Sequence, residues 1–387
     1  FSLYPDKEKA LSEFKREFPL ESRSVQSFVN SLGESARNID DFLELLPPMP
    51  SSGYFKNRKL RRSFFELGLC SFSLDFPANI ELSLGLTGLG YMLGNLRHEK
   101  VNHLQLARIL YHGMDGVREF SDGVNGLKNL FIKTMVARGG TYRKDAQVSS
   151  IVTRKKQAHA LYLKRGDEKI NFRQLHCNCD PLSFFSLIPP ENLHRKHSAM
   201  LAMLSPTHIR YLVNITLPSS AIPDSLHRNL LLLGSPARKL EGDNLLLVHR
   251  QADQDGEAVL TVLCHLPTGE LPSSIAKTEE LNRLLLSRIG SYIPFIDTEH
   301  ARLDTPAVED SQDGQKLRFD HLPRIYGTSY PNTFDLSVFP MITPYANIMI
   351  LAEGTMGGLG LEGAFLTAEK AMEATRALVK LKTLRGG

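Results

Sequence analysis

Five glycines fall within ten positions near the end of this 387-residue chain, at Gly354, Gly357, Gly358, Gly360 and Gly363. An apolar run, Asn347-Ile-Met-Ile-Leu-Ala-Glu353, precedes them and predicts a short buried strand. Residues 364–381, rich in Ala, Glu and Lys, predict a helix behind them. A strand, a glycine-packed turn and a helix N-terminus together let backbone N–H groups approach a ligand closely. Gly358-x-Gly360-x-x-Gly363 has the spacing of a dinucleotide fingerprint, but that motif also demands a second strand and an acidic residue about 20 positions on. Only 24 residues follow Gly363, and they contain no second strand. The bend is therefore either an ordinary tight turn or the completion of a site whose main part lies elsewhere.

A second ordered pattern lies mid-chain. Residues 123–140 read as a turn, a helix with Leu127, Leu130, Phe131 and Met135 at helical spacing, and a Gly139-Gly140 stop. Residues 147–153 alternate as a strand, 154–157 form a polar turn, and 158–163 return as its partner. Residues 170–176 predict one further strand, leading into Cys177-Asn178-Cys179-Asp180-Pro181.

The stretch Pro340-Met-Ile-Thr-Pro-Tyr-Ala-Asn-Ile-Met-Ile-Leu-Ala-Glu-Gly-Thr-Met-Gly-Gly-Leu-Gly-Leu-Glu-Gly-Ala resembles the C-terminal flavin segment of phytoene desaturase-like oxidoreductases, within the amine-oxidase-type FAD superfamily. The resemblance covers residues 115–185 and 280–387. It implies FAD as cofactor, with Glu353 on the ribityl chain and Gly357, Gly358, Gly360 and Gly363 at the turn and helix N-terminus facing the ring. The positive end of a helix would stabilise an anionic reduced flavin. Glu362 departs from this logic. It reads either as a solvent-facing first-turn carboxylate or, beside the ring, as a charge opposing reduction. In the mid-chain stretch Val148 takes the adenine-contact position, and otherwise reads as an ordinary core valine. The family's N-terminal βαβ unit has no counterpart in the first hundred residues, where Gly88-Leu-Gly90-Tyr-Met-Leu-Gly94 has the wrong spacing. The expectation is that this nucleotide half lies upstream on a longer or processed chain, or on a protein partner.

The implied fold is α/β (α+β): a two-domain flavin oxidoreductase-like architecture with an incomplete FAD-binding domain and a substrate domain of antiparallel sheet plus helices. Residues 1–114 form the helical part of the substrate domain. Residues 115–185 form a cofactor-side segment, 186–334 the sheet-bearing substrate part, and 335–387 the C-terminal flavin-side strand, turn and helix. Within this plan residues 5–46 predict two amphipathic helices and 54–120 several more. Strands are predicted at 208–217, 230–233, 244–250 and 258–265, a helix at 278–289, and a mobile loop at 304–316.

Composition bounds the rest. An apolar content of 42%, a charged content of 23% and a net charge of +4 fit a soluble globular chain and argue against a dedicated nucleic-acid binder. Four cysteines are too few for a disulfide framework, which leaves the redox compartment open with a reducing one favoured, and Cys177-x-Cys179 lacks a zinc-knuckle spacer, so no metal site is expected. The thirteen histidines form no H-x-x-x-H pair. Charges throughout the first twenty residues speak against a signal peptide. Residues 76–96 carry one charge, Glu81, but four glycines and Pro77 favour buried or interfacial packing over a membrane span.

Five basic residues crowd positions 56–62, flanked by Tyr54, Phe55, Phe64 and Phe65. This is either a solvated helix face or a contact for an anionic membrane. The expected location is peripheral to a membrane, on the cytoplasmic side or in an organelle interior, and not secreted. No catalytic triad is read, as expected where a cofactor carries the chemistry. Tyr326 and Tyr330 read as ordinary loop aromatics or as residues lining the ring. Three functions stay open: desaturation or isomerisation of a lipophilic polyene, as in carotenoid biosynthesis; a non-catalytic structural or lipid-binding subunit of a complex; and oxidation of a small polar amine.

Overall fold

The computed structural model describes residues 4, 6–45, 58–96, 98, 101–114, 120, 123–193, 195–223, 225–251, 255–293, 296, 300–311, 314–327, 339, 341–352, 355 and 359–385. Helical periodicity in the first third of the sequence becomes five helices: α1 (Lys7–Glu17), α2 (Ser22–Leu45), α3 (Arg58–Glu66), α4 (Ile80–Gly94) and α5 (His103–Met114). Asp6 caps α1 and Asn79 caps α4, each accepting backbone N–H bonds of the first turn. Leu11, Phe14, Val25, Phe28, Leu32, Leu82, Leu86 and Leu106 close one core shared by α1, α2, α4 and α5, and Leu60 of α3 packs separately with Ile39, Phe42 and Leu104. Gly88 and Gly90 of α4 serve the packing around that helix. A Cβ at Gly90 would stand 2.2 Å from Leu106 Cδ1, so only glycine admits so close a neighbour. No helix among the described residues is long and apolar enough to cross a membrane.

Helix α6 (Gly123–Ala137) leads to strands β1 (Val148–Arg154), β2 (Gln157–Leu163) and β3 (Lys169–Asn171), an antiparallel meander. Strand β4 (Leu175–Cys177) follows, then α7 (Pro181–Ser186) and α8 (Arg195–Met203). The predicted single strand over 170–176 is thus two strands in two different sheets. The break has a cause: the Asn347 amide donates to the Arg173 and Ala158 carbonyls and accepts from the Ala158 N–H, so the chain is pinned where it changes sheet.

The large sheet collects β5 (Pro206–Pro218), β6 (Asn229–Leu233), β7 (Leu245–Arg250) and β8 (Glu257–Pro267). Helix α9 (Ile275–Tyr292) and strands β9 (Arg302–Asp304), β10 (Val308–Ser311), β11 (Gly314–Leu317) and β12 (Arg324–Tyr326) come next. The sheet runs β12-β5-β8-β7-β6, with β9 also on β5, and every pairing is antiparallel. Alternation along each strand feeds two layers. Tyr211, Val213, Ile215, Leu260 and Val262 pack with Leu285 and Ile289 of α9. Leu212, Leu231, Leu233, Leu247 and Leu263 pack against the α4–α5 layer. The expected loop over 304–316 instead carries most of a hairpin: β10 and β11, which runs on to Leu317, pair with Val308 opposite Leu317.

The chain then returns. Strand β13 (Ile348–Ile350) lies parallel to β4, and α10 (Gly360–Arg385) follows. Ile348 and Ile350 face a cluster with Ile151, Phe184 and Tyr345, while Met349 faces Ala371 and Ala374 of α10. The other edge of β13 is met by Met341 and Ile342, through the Ile350 N–H to Met341 carbonyl bond of 2.8 Å and a bridge to Met349. The fold is α/β, with a helix–sheet–helix block beside a smaller mixed unit.

Candidate functional site

Strand β13 and helix α10 flank the glycine bend. Glu353, Gly357 and Gly358 lie outside the described residues, as does Tyr330. Gly360 opens α10 at φ +55°, and a Cβ there would stand 3.0 Å from the Leu93 carbonyl oxygen. Both facts require glycine: the left-handed backbone and the approach of α4's last turn. Gly363 is buried one turn later and donates to the Leu359 carbonyl at 3.2 Å. Leu359 seats the bend against Ile39, Phe42, Leu60 and Leu104.

Glu362, the carboxylate in that first turn, is neither free in solvent nor uncompensated. Arg108 of α5 donates to both its oxygens, at 2.6 and 2.7 Å, and also to Asp40 of α2 at 2.5 Å. The Arg108 side chain is 6% exposed. Burial alone would lower its pKa, but Glu362 and Asp40 outweigh burial and leave it raised. The Arg108 guanidinium in turn holds Glu362 below the usual carboxylate range. His112 adds a contact to Asp40 at 3.3 Å. Arg108 thus offsets the charge of Glu362 only in part, since its single positive charge is shared with Asp40, and the positive end of α10 is weakened accordingly.

Val148, the other predicted contact, begins β1 opposite Leu163, half-buried against the cluster that includes Ile348 and Ile350. Val148 and the strand entering the glycine bend thus share one core. Asp180, from the Asn178-x-Asp180-Pro181 element, caps α7 through the Leu182 and Ser183 N–H groups. Its carboxylate also accepts from Arg324 at 2.7 Å and from the Tyr326 hydroxyl. Tyr326 is a buried strand residue of β12 and not a loop aromatic. It and Arg324 fasten the large sheet to the end of β4. Burial, with Asp180 adding to it, pushes the Tyr326 hydroxyl well above its ordinary range, so it stays protonated.

Helix α6 differs from its sequence pattern. None of its residues is buried. Val124, Leu130, Phe131 and Val136 are 78, 60, 51 and 52% exposed, and Phe365 and Leu361 of α10 are 45 and 57% exposed. Phe131 and Phe365 touch ring to ring at 6.0 Å. A cavity of about 590 Å³, open to solvent, runs along α6 past Phe120, Leu127, Leu130 and Lys133. A contiguous apolar face of this kind calls for a covering surface.

A cluster absent from the sequence reading joins the start of β5, the end of β8 and the loop after α4. His98 and His208 stack at 4.1 Å, His98 Nε2 meets His265 Nδ1 at 2.8 Å, and His208 Nε2 meets Glu241 at 2.9 Å. His98, His208 and Glu241 each bring a possible metal-ligand atom within 4.8 Å of the others, the one such group among the described residues. Burial, then His208, pushes His98 down to about 3, and burial likewise drives His265 well below its ordinary value. His98 and His265 are bonded to each other and His208 to Glu241, while His265 Nε2 is buried without a hydrogen-bond partner. Positions 98, 208, 241 and 265 share no spacing that a sequence reading could detect.

No protein-family model matches the sequence, and the curated proteins contain no match to it. Among solved structures, the fold resembles an oxidoreductase from Methanosarcina mazei at TM-score 0.54 and 17% identity, over 86% of this chain and 75% of that one. It also resembles putrescine oxidase bound to putrescine, at TM-score 0.50 and 13% identity, over 92% of this chain and 76% of that one. A putrescine oxidase double mutant, made in a redesign of its cofactor binding, gives TM-score 0.50 at 14% identity over 92% and 76%. The chain shares their α/β fold.

Proposed function

We propose that this chain supplies the substrate side and the C-terminal flavin side of an FAD-dependent oxidoreductase acting on a lipophilic, polyene-like substrate. Polypeptide outside these 387 residues supplies the dinucleotide-binding half. The observation that carries this reading is the first turn of α10, where Gly360 is held at φ +55° and Glu362 is paired with Arg108. The described residues fit one end of such a cofactor. Gly360 and Gly363 let the backbone come close, the helix N-terminus supplies positive potential, and Val148 belongs to the adjoining core. Bound FAD would supply hydride-accepting chemistry, held at this end by the Gly360 and Gly363 backbone. This chain's own part is to hold that end of the cofactor, to keep Arg108 charged beneath the turn, and to exclude water through the Leu-rich layers on either side of the large sheet. The apolar faces of α6 and α10 suit docking of the supplied half. Phe65 of α3, 74% exposed next to Arg61 and Arg62, suits contact with an anionic bilayer from which such a substrate would be drawn. The amine substrate of putrescine oxidase does not transfer at 13% identity.

A second reading, a non-catalytic structural or lipid-binding subunit, is favoured by two observations. A cavity within the helical core, lined by Phe14, Phe28, Leu32 and Leu82 among others, holds only about 10 Å³. Met341 and Ile342 already occupy the outer edge of β13, which an incoming strand would have to displace.

An absorbance scan of the chain purified with any companion polypeptide decides between them. Bands of a bound flavin, bleached by an apolar polyene substrate, are expected. A colourless complex that still binds lipid would overturn the enzymatic reading in favour of the second.

A further inference from the structure

Cys177 is the last residue of β4, and Cys179 stands two positions on. Residues i and i+2 of an extended segment project to the same side, and the two sulfurs are 3.0 Å apart. Each cysteine is half-buried. The flanks are fixed. The Cys177 carbonyl accepts the Leu351 N–H at 2.7 Å, and Asp180 is held by the α7 cap, Arg324 and Tyr326. The other two cysteines are set apart, Cys264 buried within the large sheet and Cys70 exposed after α3. The pair also sits at the carboxyl end of the parallel β4–β13 pair, the side of such sheets on which ligands approach.

We propose that Cys177 and Cys179 form a redox-active dithiol that closes to a disulfide by exchange with a low-molecular-weight disulfide such as oxidised glutathione. The sulfurs need to close only from 3.0 Å to about 2.05 Å, with the backbone anchored on both sides. The roles are unequal. The contact with Cys179 holds the Cys177 thiol below the usual range, whereas that contact and burial push Cys179 well above it. Cys177 is thus the attacking sulfur and Cys179 the resolving one. The Cys177 thiolate attacks one sulfur of the small disulfide, forms a mixed disulfide and expels one thiolate. Cys179 then loses its proton, attacks the Cys177 sulfur and expels the second. Two protein thiols are oxidised, one small disulfide is reduced to two thiols, and the two protein protons end on those thiols. No further electron acceptor is required, and the proposal is independent of whether flavin binds.

The test equilibrates the full chain in glutathione buffers from reducing to oxidising, denatures it in a thiol-blocking reagent, and reads intact mass. Two of the four cysteines should become unavailable to the reagent, with the protein two hydrogens lighter and no glutathione attached. The change should map to the tryptic segment 174–195 and reverse with dithiothreitol. The same loss should persist in a Cys70→Ser, Cys264→Ala variant, and Cys179→Ser should accumulate a glutathione adduct on Cys177. Four labelled cysteines across the whole series would overturn the proposal, as would adducts confined to Cys70. The wild-type mass reading stands alone if a variant fails to fold.

Discussion

Arg108 and Glu362 stand 254 positions apart in the chain and meet in a two-bond ion pair of 2.6 and 2.7 Å. Through it α5 holds the first turn of α10, and through Asp40 the same guanidinium holds α2. Three helices therefore converge on one buried cation, directly beneath the glycine bend.

Arg108→Leu should cost about 2 kcal/mol, less than the ~3–5 of a fully buried pair, because Asp40 and Glu362 keep part of their hydration. Glu362→Gln alone should cost less, since Arg108 keeps Asp40. Chemical denaturation reads both as a lower midpoint at constant slope. An unchanged midpoint for Arg108→Leu would show that the pair holds nothing together.

Gly360→Ala should lose about 1–2 kcal/mol, because any side chain is strained at a left-handed φ and the Leu93 carbonyl oxygen leaves no room for it. Thermal melts of this variant beside Gly113→Ala make the comparison, since a Cβ at Gly113 meets nothing within 4 Å. Equal melting temperatures would rule out a special backbone at Gly360.

The histidine cluster sets an acid limit. His98, pushed down to about 3 by burial and then by His208, and His265, also well below its ordinary value, are neutral in the fold. Unfolded, both bind a proton near 6.5, so the unfolded chain takes up protons first as pH falls. The stability they contribute is whole above 6.5. For His98 it drains between there and about 3, at up to ~1.4 kcal/mol per pH unit. Urea midpoints at several pH values should fall steeply across this window, and His98→Gln should flatten the fall. A wild-type profile level from neutral to pH 4 would remove the cluster from the account.

The open side of α6 predicts a dissociation between folding and association. Leu130→Glu with Phe131→Glu should change unfolding stability by no more than about 0.5 kcal/mol per site, since neither residue is buried. The same pair should abolish binding of a fluorescent apolar dye and co-purification of a companion polypeptide. Retained dye binding would place the sticky surface elsewhere.

Residues 5–46 and 208–265 were readable because their apolar periodicity answers to a single buried face, as in Val25, Phe28, Val29 and Leu32 of α2. The 304–316 segment misled because a hairpin whose β11 residues Gly314, Gln315 and Lys316 are exposed has no buried stripe to reveal it. The 170–176 run was read as one strand because nothing local announces that Asn347, far down the chain, pins Arg173 between two sheets. The helix at 123–137 was legible as a helix, but an apolar stripe predicts a cover without saying whether one is present. The partner of Glu362 and the meeting of His98 with His208 and His265 are long-range facts, invisible to spacing.

Because Asp40 and Glu362 share Arg108, helices far apart in the sequence are parts of a single joint. A nascent chain on which α10 has not yet formed holds Arg108 by Asp40 alone. Removing α10 while sparing every strand should therefore loosen the seating of α2 against α5, hundreds of positions away from the cut.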